Sequence, residues 1–367
     1  MSGATVATRQ ANATGAGARQ WLRHALARPL LALALLLLVD FALVPGFFQL
    51  TIKDGHLYGS LVDIANRAAP LMLAAIGMTL VIATRGIDIS VGAVVALSGT
   101  VAAMLVGGAS EPATPLGWAL LAALGAALLC GLWNGLLVAA LGLQPIVATL
   151  ILMVAGRGLA QLLTDGQIVT VYHAPYFYLG GGYLAGLPFS LAVVGVVYAA
   201  IVLAMHKSAL GLFIQAAGIN PVAARLAGVR TAGLTVFAYV FCAACAGLAG
   251  LMISSNIKSA DANNAGLLLE LDAILAVTLG GASLAGGKFS LAGSVVGALI
   301  IQTLTYTIYS LGVPPEVNMV VKAVVVFLVC LSQSDRARSL FRSLVRSLLQ
   351  HLLQPRLQRR LPRRGQS

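Results

Sequence analysis

The chain has 367 residues, of which 59% are hydrophobic and only 9% charged, with a formal net charge of +12. A soluble domain carries roughly 25% charged residues, so a soluble enzyme or binding module is excluded and the residues are read in a bilayer. Nucleic-acid binding is disfavoured too, because thirteen of the 23 basic residues lie in two tails that flank the apolar region.

The first tail, residues 1–28, carries Arg9, Arg19, Arg23 and Arg28. About 20 apolar residues are needed to cross roughly 30 Å of hydrocarbon as a helix. Ten candidate stretches follow in order: 29–48, 61–84, 89–107, 116–141, 145–164, 189–206, 232–254, 267–282, 290–311 and 316–333. The eighth is short enough to be re-entrant. The first has no small-residue cleavage pattern after it and reads as a span rather than a cleavable signal. Lipid cannot satisfy free backbone amides, and runs this uniformly apolar do not alternate as barrel strands do. The predicted fold is therefore an all-α polytopic membrane protein of about ten transmembrane helices, with a membrane domain at 29–333 and an arginine-rich tail at 334–367.

Placing both termini in the cytoplasm puts eighteen basic residues inside, including Arg85, Lys207, Arg225, Arg230 and Lys288, against Lys53 and Lys258 outside. That asymmetry is the positive-inside pattern. The nine arginines from Arg336 to Arg364 are expected to rest on anionic headgroups, and membrane lipids are thus predicted partners.

Signatures of chemistry fail one by one. Cys130, Cys242, Cys245 and Cys330 all sit in apolar runs, and the CxxC of Cys242 and Cys245 has no second pair or nearby histidine, so packing is expected. GGASLAGGKF, 280–289, resembles a phosphate loop but has Ala282 where the first glycine belongs and Phe289 where a hydroxyl residue must follow the lysine. The five histidines are scattered. No catalytic residue, no metal site and no cofactor on this chain is predicted.

Between the sixth and seventh spans lies KSALGLFIQAAGINPVAARLAGVR, 207–230, which is cytoplasmic by the charge argument. Gly218, Asn220 and Pro221 signal a turn, and Val222 through Ala227 a short helix closed by Gly228. The segment reads either as a docking element or as an ordinary surface loop.

Four stretches carry a family resemblance: GMTLVIATRGIDISVG at 77–92, QPIVATLILMVAGRGLAQLLTDGQIV at 144–169, the 207–230 segment, and LGGASLAGGKFSLAGSVVGALIIQ at 279–302. Over roughly 60–333 the chain resembles the permease subunit of ribose-type ABC sugar importers, and the second stretch is most similar to the galactofuranose branch. The resemblance implies a bacterial inner-membrane permease. Its implied partners are an ABC ATPase subunit carrying ATP and Mg, a second permease, identical or related, and a periplasmic sugar-binding protein. It also implies that Gly218, Asn220, Ala223, Ala224, Arg225, Leu226 and Gly228 form a coupling helix that seats in the ATPase. The family usually has Gly-Gly-Asn where this chain has Gly218, Ile219 and Asn220, so a differently built turn is expected there.

A sugar pathway needs hydrogen-bonding groups without net charge, so polar residues within spans are candidates. Asn66, Asn134, Thr149, Gln161, Gln302, Tyr306 and Asn318 qualify, Trp133 can stack on a sugar face, and Arg157 is added as a neighbour of Thr149 and Gln161. Thr149, Met153, Arg157 and Gln161 share one face of the fifth span, as Gln302, Tyr306 and Tyr309 do on the ninth. The alternative is that these groups only tie helices together. GLWNG from Gly131 and GSVVG from Gly293 have the spacing of close helix contacts. Asp88 is expected to hold Arg85 locally, the alternative being that it shapes a gate, and the two glycine-rich turns near Arg85 and Lys288 hint at a repeat. In the loop 165–188, Tyr172, Tyr176, Phe177 and Tyr178 are expected to contact the binding protein. The rival reading is a proton- or sodium-coupled carrier, for which Asp40 and Arg157 are the only charges deep in spans.

Overall fold

The computed structural model describes residues 26–53, 55–107, 114–314 and scattered positions from 317 to 327. The account that follows concerns 26–314, which form one compact unit. The two tails and most of the predicted tenth span, with Asn318, Lys322 and Cys330, lie outside the described residues.

In chain order the helices are α1 (Ala27–Leu43), α2 (Ser60–Ala83), α3 (Val91–Val106), α4 (Leu116–Ala139), α5 (Pro145–Leu163), a short α6 (Tyr178–Gly181), α7 (Phe189–Lys207), α8 (Leu210–Ile219), α9 (Pro221–Leu226), α10 (Thr231–Ile257), α11 (Leu269–Leu279) and α12 (Leu291–Ser310). Among the described residues six helices are long and apolar enough to cross a membrane: α2, α4, α5, α7, α10 and α12. The 11 residues of α11 rise only about 16 Å, too little to span hydrocarbon. One element class went unforeseen. Three antiparallel two-stranded pieces decorate one end: β1 (Thr51–Lys53) with β2 (His56–Tyr58), β3 (Val169–Thr170) with β6 (Ser259–Ala260), and β4 (Tyr183–Leu184) with β5 (Leu187–Pro188). They form where loops leave the helical region and water competes for backbone groups.

The centre is built from α2, α3 and α10. From Leu71 to Ala83 every side chain of α2 is buried, and α10 packs along α2, α3 and α4. Lipid offers no hydrophobic drive between helices, so close backbone approach does the work. Gly131 and Gly135 of α4 press on the backbone of Val240 and Val236 in α10, while Gly77 of α2 presses on Cys242. Gly293 and Gly297 let α12 lie against Gly280 and Ala276 at the α11 side. Both glycine pairs flagged in the sequence therefore make helix contacts, and Cys130, Cys242 and Cys245 are free and buried. By contrast α1, α4, α5 and α7 turn apolar faces outward, including Leu35, Leu129, Val154 and Val196.

Buried polar groups tie helices. The Thr307 hydroxyl donates to the Asp40 carboxylate at 2.5 Å, joining α12 to α1. Thr79 and Ser294 join α2 to α12 at 2.7 Å. Arg67 and Asp63 pair one turn apart on α2 at 3.0 Å.

Candidate functional site

The 207–230 segment forms two helices rather than one. Gly218 does not turn the chain. It lies in the last turn of α8, where an added Cβ would collide with the Ala83 carbonyl oxygen and the Gly287 backbone. The turn is made by Asn220 alone, whose backbone N–H donates to Ala216 O at 3.0 Å. Its side-chain oxygen accepts from the amides of Val222 at 3.1 Å and Ala223 at 3.0 Å, capping α9. Pro221 occupies the first helical position. At the far end Val229 N–H reaches Ala224 O at 3.0 Å and Gly228 N–H reaches Arg225 O at 2.9 Å, with Gly228 at φ 85°. This is a Schellman closure, which uses the left-handed residue glycine adopts freely. Only Ala224 of α9 is buried; Val222, Ala223, Arg225 and Leu226 project, Leu226 at 86% exposure.

Next to this pair the chain leaves α2 through Thr84–Ser90. Asp88 is not bonded to Arg85, contrary to the sequence expectation. Asp88 Oδ1 accepts from Ser90 N at 2.9 Å and Ser90 Oγ at 2.6 Å, and Asn134 Nδ2 donates to Ser90 Oγ at 2.9 Å. Thr149 Oγ1 accepts from Ile89 N at 3.2 Å. Asn134 and Thr149 are thus buried ties from this turn to α4 and α5. Burial pushes the Asp88 carboxyl up to about 6, against hydrogen bonds from Ser90 that pull it down. The ordinary value is 3.8, so the folded chain holds this proton more tightly than the unfolded chain. That stability is complete at low pH and is lost as pH rises through about 6. Asp88→Asn cannot ionise, and between about pH 5 and about pH 7.5 its melting temperature should gain on the native chain's by the equivalent of about 1.4 kcal/mol. A melting difference that ignores pH would show that Asp88 does not titrate in this window.

At the opposite end, Arg157 Nη1 donates to Ala265 O at 2.6 Å and Ala262 O at 3.1 Å, and Gln161 Nε2 donates to Asn263 Oδ1 at 2.8 Å. These two pathway candidates act together to hold the 261–265 loop on α5. Burial opposes ionisation of Asp261, yet hydrogen bonds from Asn264 and Asn263, with the nearby Arg157 charge, keep its carboxyl below the usual range.

The same end holds a cavity of about 180 Å³, lined by Asn66, Pro70, Ser190, Asn256 and Gln302 among others. That is room for about six waters at roughly 30 Å³ each. The Ser190 hydroxyl donates to Asn66 Oδ1, and Asn256 Nδ2 donates to Gly180 O at 3.1 Å. Pro70 has no N–H for the Asn66 carbonyl one turn back, which leaves a further acceptor beside the cavity. Of the sequence candidates, Asn66 and Gln302 line this space together. Tyr306 instead donates to Ser60 Oγ at 2.8 Å and packs on Phe47. Trp133 does not line it either, standing on the outward face of α4 with Leu129 and Leu136. Ser190 and Asn256 were missed because each sits at a span end, where a cap or an interfacial group is the ordinary reading.

Leu57 N–H bonds Gly186 O at 2.9 Å, and His56 stacks on Tyr183 at 4.3 Å, so the β1–β2 and β4–β5 hairpins form one surface. Tyr172 and Tyr178 are exposed at 64% and 45%. Tyr176 is a correction: it is fully buried against α3 and α4 and offers nothing to a partner. Phe177 is half-buried with Lys258 Nζ 4.9 Å from its ring centre.

Apolar spans, a cavity with convergent amides and a hydroxyl at one end and a projecting, capped α9 at the other define a membrane permease. The chain belongs to the family described as branched-chain amino acid transport system / permease component, whose profile matches residues 60–330. It is 55% identical to the galactofuranose transporter permease protein YtfT of Escherichia coli, over 85% of this chain and 91% of that one. It is 38% identical to the fructose import permease protein FruF of Bifidobacterium longum, over 78% and 81%. Identity to the ribose import permease protein RbsC of Escherichia coli is 37%, over 85% and 94%. No solved structure matches the chain significantly.

Proposed function

We propose that this chain is the membrane-spanning permease subunit of an ATP-binding-cassette importer that carries a monosaccharide of the ribose or galactofuranose type into the cytoplasm. The relatives named for galactofuranose, fructose and ribose, matched over most of their lengths, support a neutral sugar as cargo. The observation that carries the reading is α9, capped by Asn220 at one end and closed by Gly228 at the other, with Val222, Arg225 and Leu226 projecting. An apolar tip with a cation beside it, on a rigid short helix, is built to seat in a partner's groove. That partner is the ATPase subunit, which carries ATP and Mg.

In this reading α8–α9 faces the cytoplasm of a bacterial inner membrane, both termini lie on that side, and the hairpin end faces the periplasm. Tyr172 and Tyr178 contact the sugar-binding protein. Asn66, Ser190, Asn256 and Gln302 receive the sugar. The outward apolar faces of α4 and α5 meet lipid and a second permease.

The test is uptake of labelled ribose or galactofuranose into proteoliposomes that hold permease, ATPase and binding protein. Uptake should require internal ATP and survive a protonophore. Uptake abolished by the protonophore at constant ATP would overturn the proposal in favour of an ion-coupled carrier.

A further inference from the structure

Three stretches far apart in sequence meet beneath α2. The Gly287 amide donates to the Ala83 carbonyl at 3.0 Å, which binds the 280–290 turn to the end of α2. Gly218 sits against both, so close that any side chain there would strike Ala83 O and Gly287. Across this joint reaches Arg85, whose Nε donates to Gly218 O at 2.5 Å and whose Nη2 donates to Ile219 O at 2.5 Å. Those carbonyls end α8 and have no helical donor, and the helix dipole places negative partial charge on them. A planar guanidinium offers two such acceptors its donors in a fixed fork, whereas an ammonium is a compact charge on a flexible stem and holds neither in a set geometry.

The backbone at Arg85 makes the point sharper. Arg85 N–H reaches Ile82 O at 3.0 Å and Gly86 N–H reaches Val81 O at 2.9 Å, so α2 ends in a Schellman closure with Arg85 in the left-handed position, at φ 67°. Glycine is the usual residue there, and a side chain is strained. Strain kept at one position is a pointer to function. Here the strained conformation aims the guanidinium at α8.

We infer that Arg85 is a positioning residue that clasps the α8–α9 pair to the end of α2 and to the 280–290 turn, so that displacement of the pair is transmitted to the membrane helices. α2 runs from this clasp to Asn66 and Pro70 at the cavity, and α12, which follows the 280–290 turn, carries Gln302 to the same cavity. One rigid joint therefore connects the ATPase-facing helices to two walls of the pathway. The inference rests on the proposed coupling role of α8–α9.

Arg85→Gly is the informative variant, because glycine suits the backbone angle and removes only the clasp. In the complex assembled with ATPase and binding protein, the ATPase should still co-purify. The ratio of binding-protein-stimulated to unstimulated ATP hydrolysis should fall at least about fivefold, the smallest usual coupling between linked sites. Arg85→Lys, with one donor group, should fall between the native chain and Arg85→Gly. An unchanged ratio overturns the inference, as does loss of the ATPase itself, which would make Arg85 a prop for the docking surface alone. A second measurement needs no partner. Spin labels at the exposed Val222 and Leu284, in a background free of reactive cysteine, should give one narrow distance in the native chain and a broadened one in Arg85→Gly. Equal widths overturn the clasp. If the native chain recruits no ATPase, the coupling role fails while the label distances still decide whether the clasp exists.

Discussion

Gly131→Leu is expected to prevent the permease from folding, whereas Gly125→Leu on the same helix is expected to be tolerated. A Cβ at position 131 would stand 2.6 Å from the Ala243 Cβ, 2.7 Å from the Tyr239 carbonyl oxygen and 2.8 Å from the Val240 Cα. Two of these are backbone atoms of α10, which cannot rotate away. Overpacking a core costs about 1–3 kcal/mol where neighbours can shift, and more where they cannot; here the clash is with backbone atoms at the contact between α4 and the central helix α10. Around Gly125 there is open space within 4 Å, so a leucine there only adds to an outward face. The check is size-exclusion chromatography of the tagged chains in mild detergent. Loss of the monodisperse peak for Gly131→Leu alone is the expected result, and equal behaviour of the two variants would refute the packing account.

The second large effect concerns transport. Asn66 and Gln302 come from different helices, α2 and α12, yet line one cavity with Ser190 and Asn256. A sugar hydroxyl that meets leucine instead of an amide forfeits a hydrogen bond and leaves other polar groups unpaired. Each such loss is worth about 1–3 kcal/mol, so the Asn66→Leu and Gln302→Leu double variant should lower uptake at limiting sugar by about tenfold or more. Initial uptake rates in proteoliposomes, with the variant checked for a native elution profile, decide it. Native uptake would remove this cavity from the pathway.

How much of this was readable in the sequence depended on the physics behind each signal. A helix in lipid must satisfy every backbone group internally and needs a fixed length, so the predicted runs at 61–84, 145–164 and 290–311 fall within a residue or so of Ser60–Ala83, Pro145–Leu163 and Leu291–Ser310. Sequence distance misled where contacts are long-range. Asp88 looked like the partner of Arg85 because they are three residues apart, but Arg85 reaches carbonyls at 218 and 219. Gly218 looked like a turn because Asn-Pro follows it closely, but its missing side chain is used for contact with Ala83 and Gly287. The two glycine-rich turns, compared in the sequence only for their composition, touch in the fold, where Gly287 N–H donates to Ala83 O. Polar residues on spans were the hardest to sort. Asn134, Thr149, Arg157 and Gln161 tie turns and loops to helices, whereas Asn66 and Gln302 line a cavity, and nothing in their residue types separates the two roles. Tyr176 was read with its exposed neighbours because loops are usually wet, but its ring fills the space beside α3 and α4.

The measurement that bears most directly on the central claim is recovery of ATPase activity with the tagged permease. Membranes holding the whole transporter would be solubilised under conditions that keep complexes intact, comparing the native chain with Arg225→Glu and Gly228→Pro. Arg225 is the cation on the projecting face of α9, and Gly228 closes that helix at a φ of 85° that proline cannot adopt. The account predicts that ATPase activity accompanies the native permease and is lost with both variants, each of which still elutes as a folded protein. Native chain without ATPase, or variants that retain it in full, would contradict it.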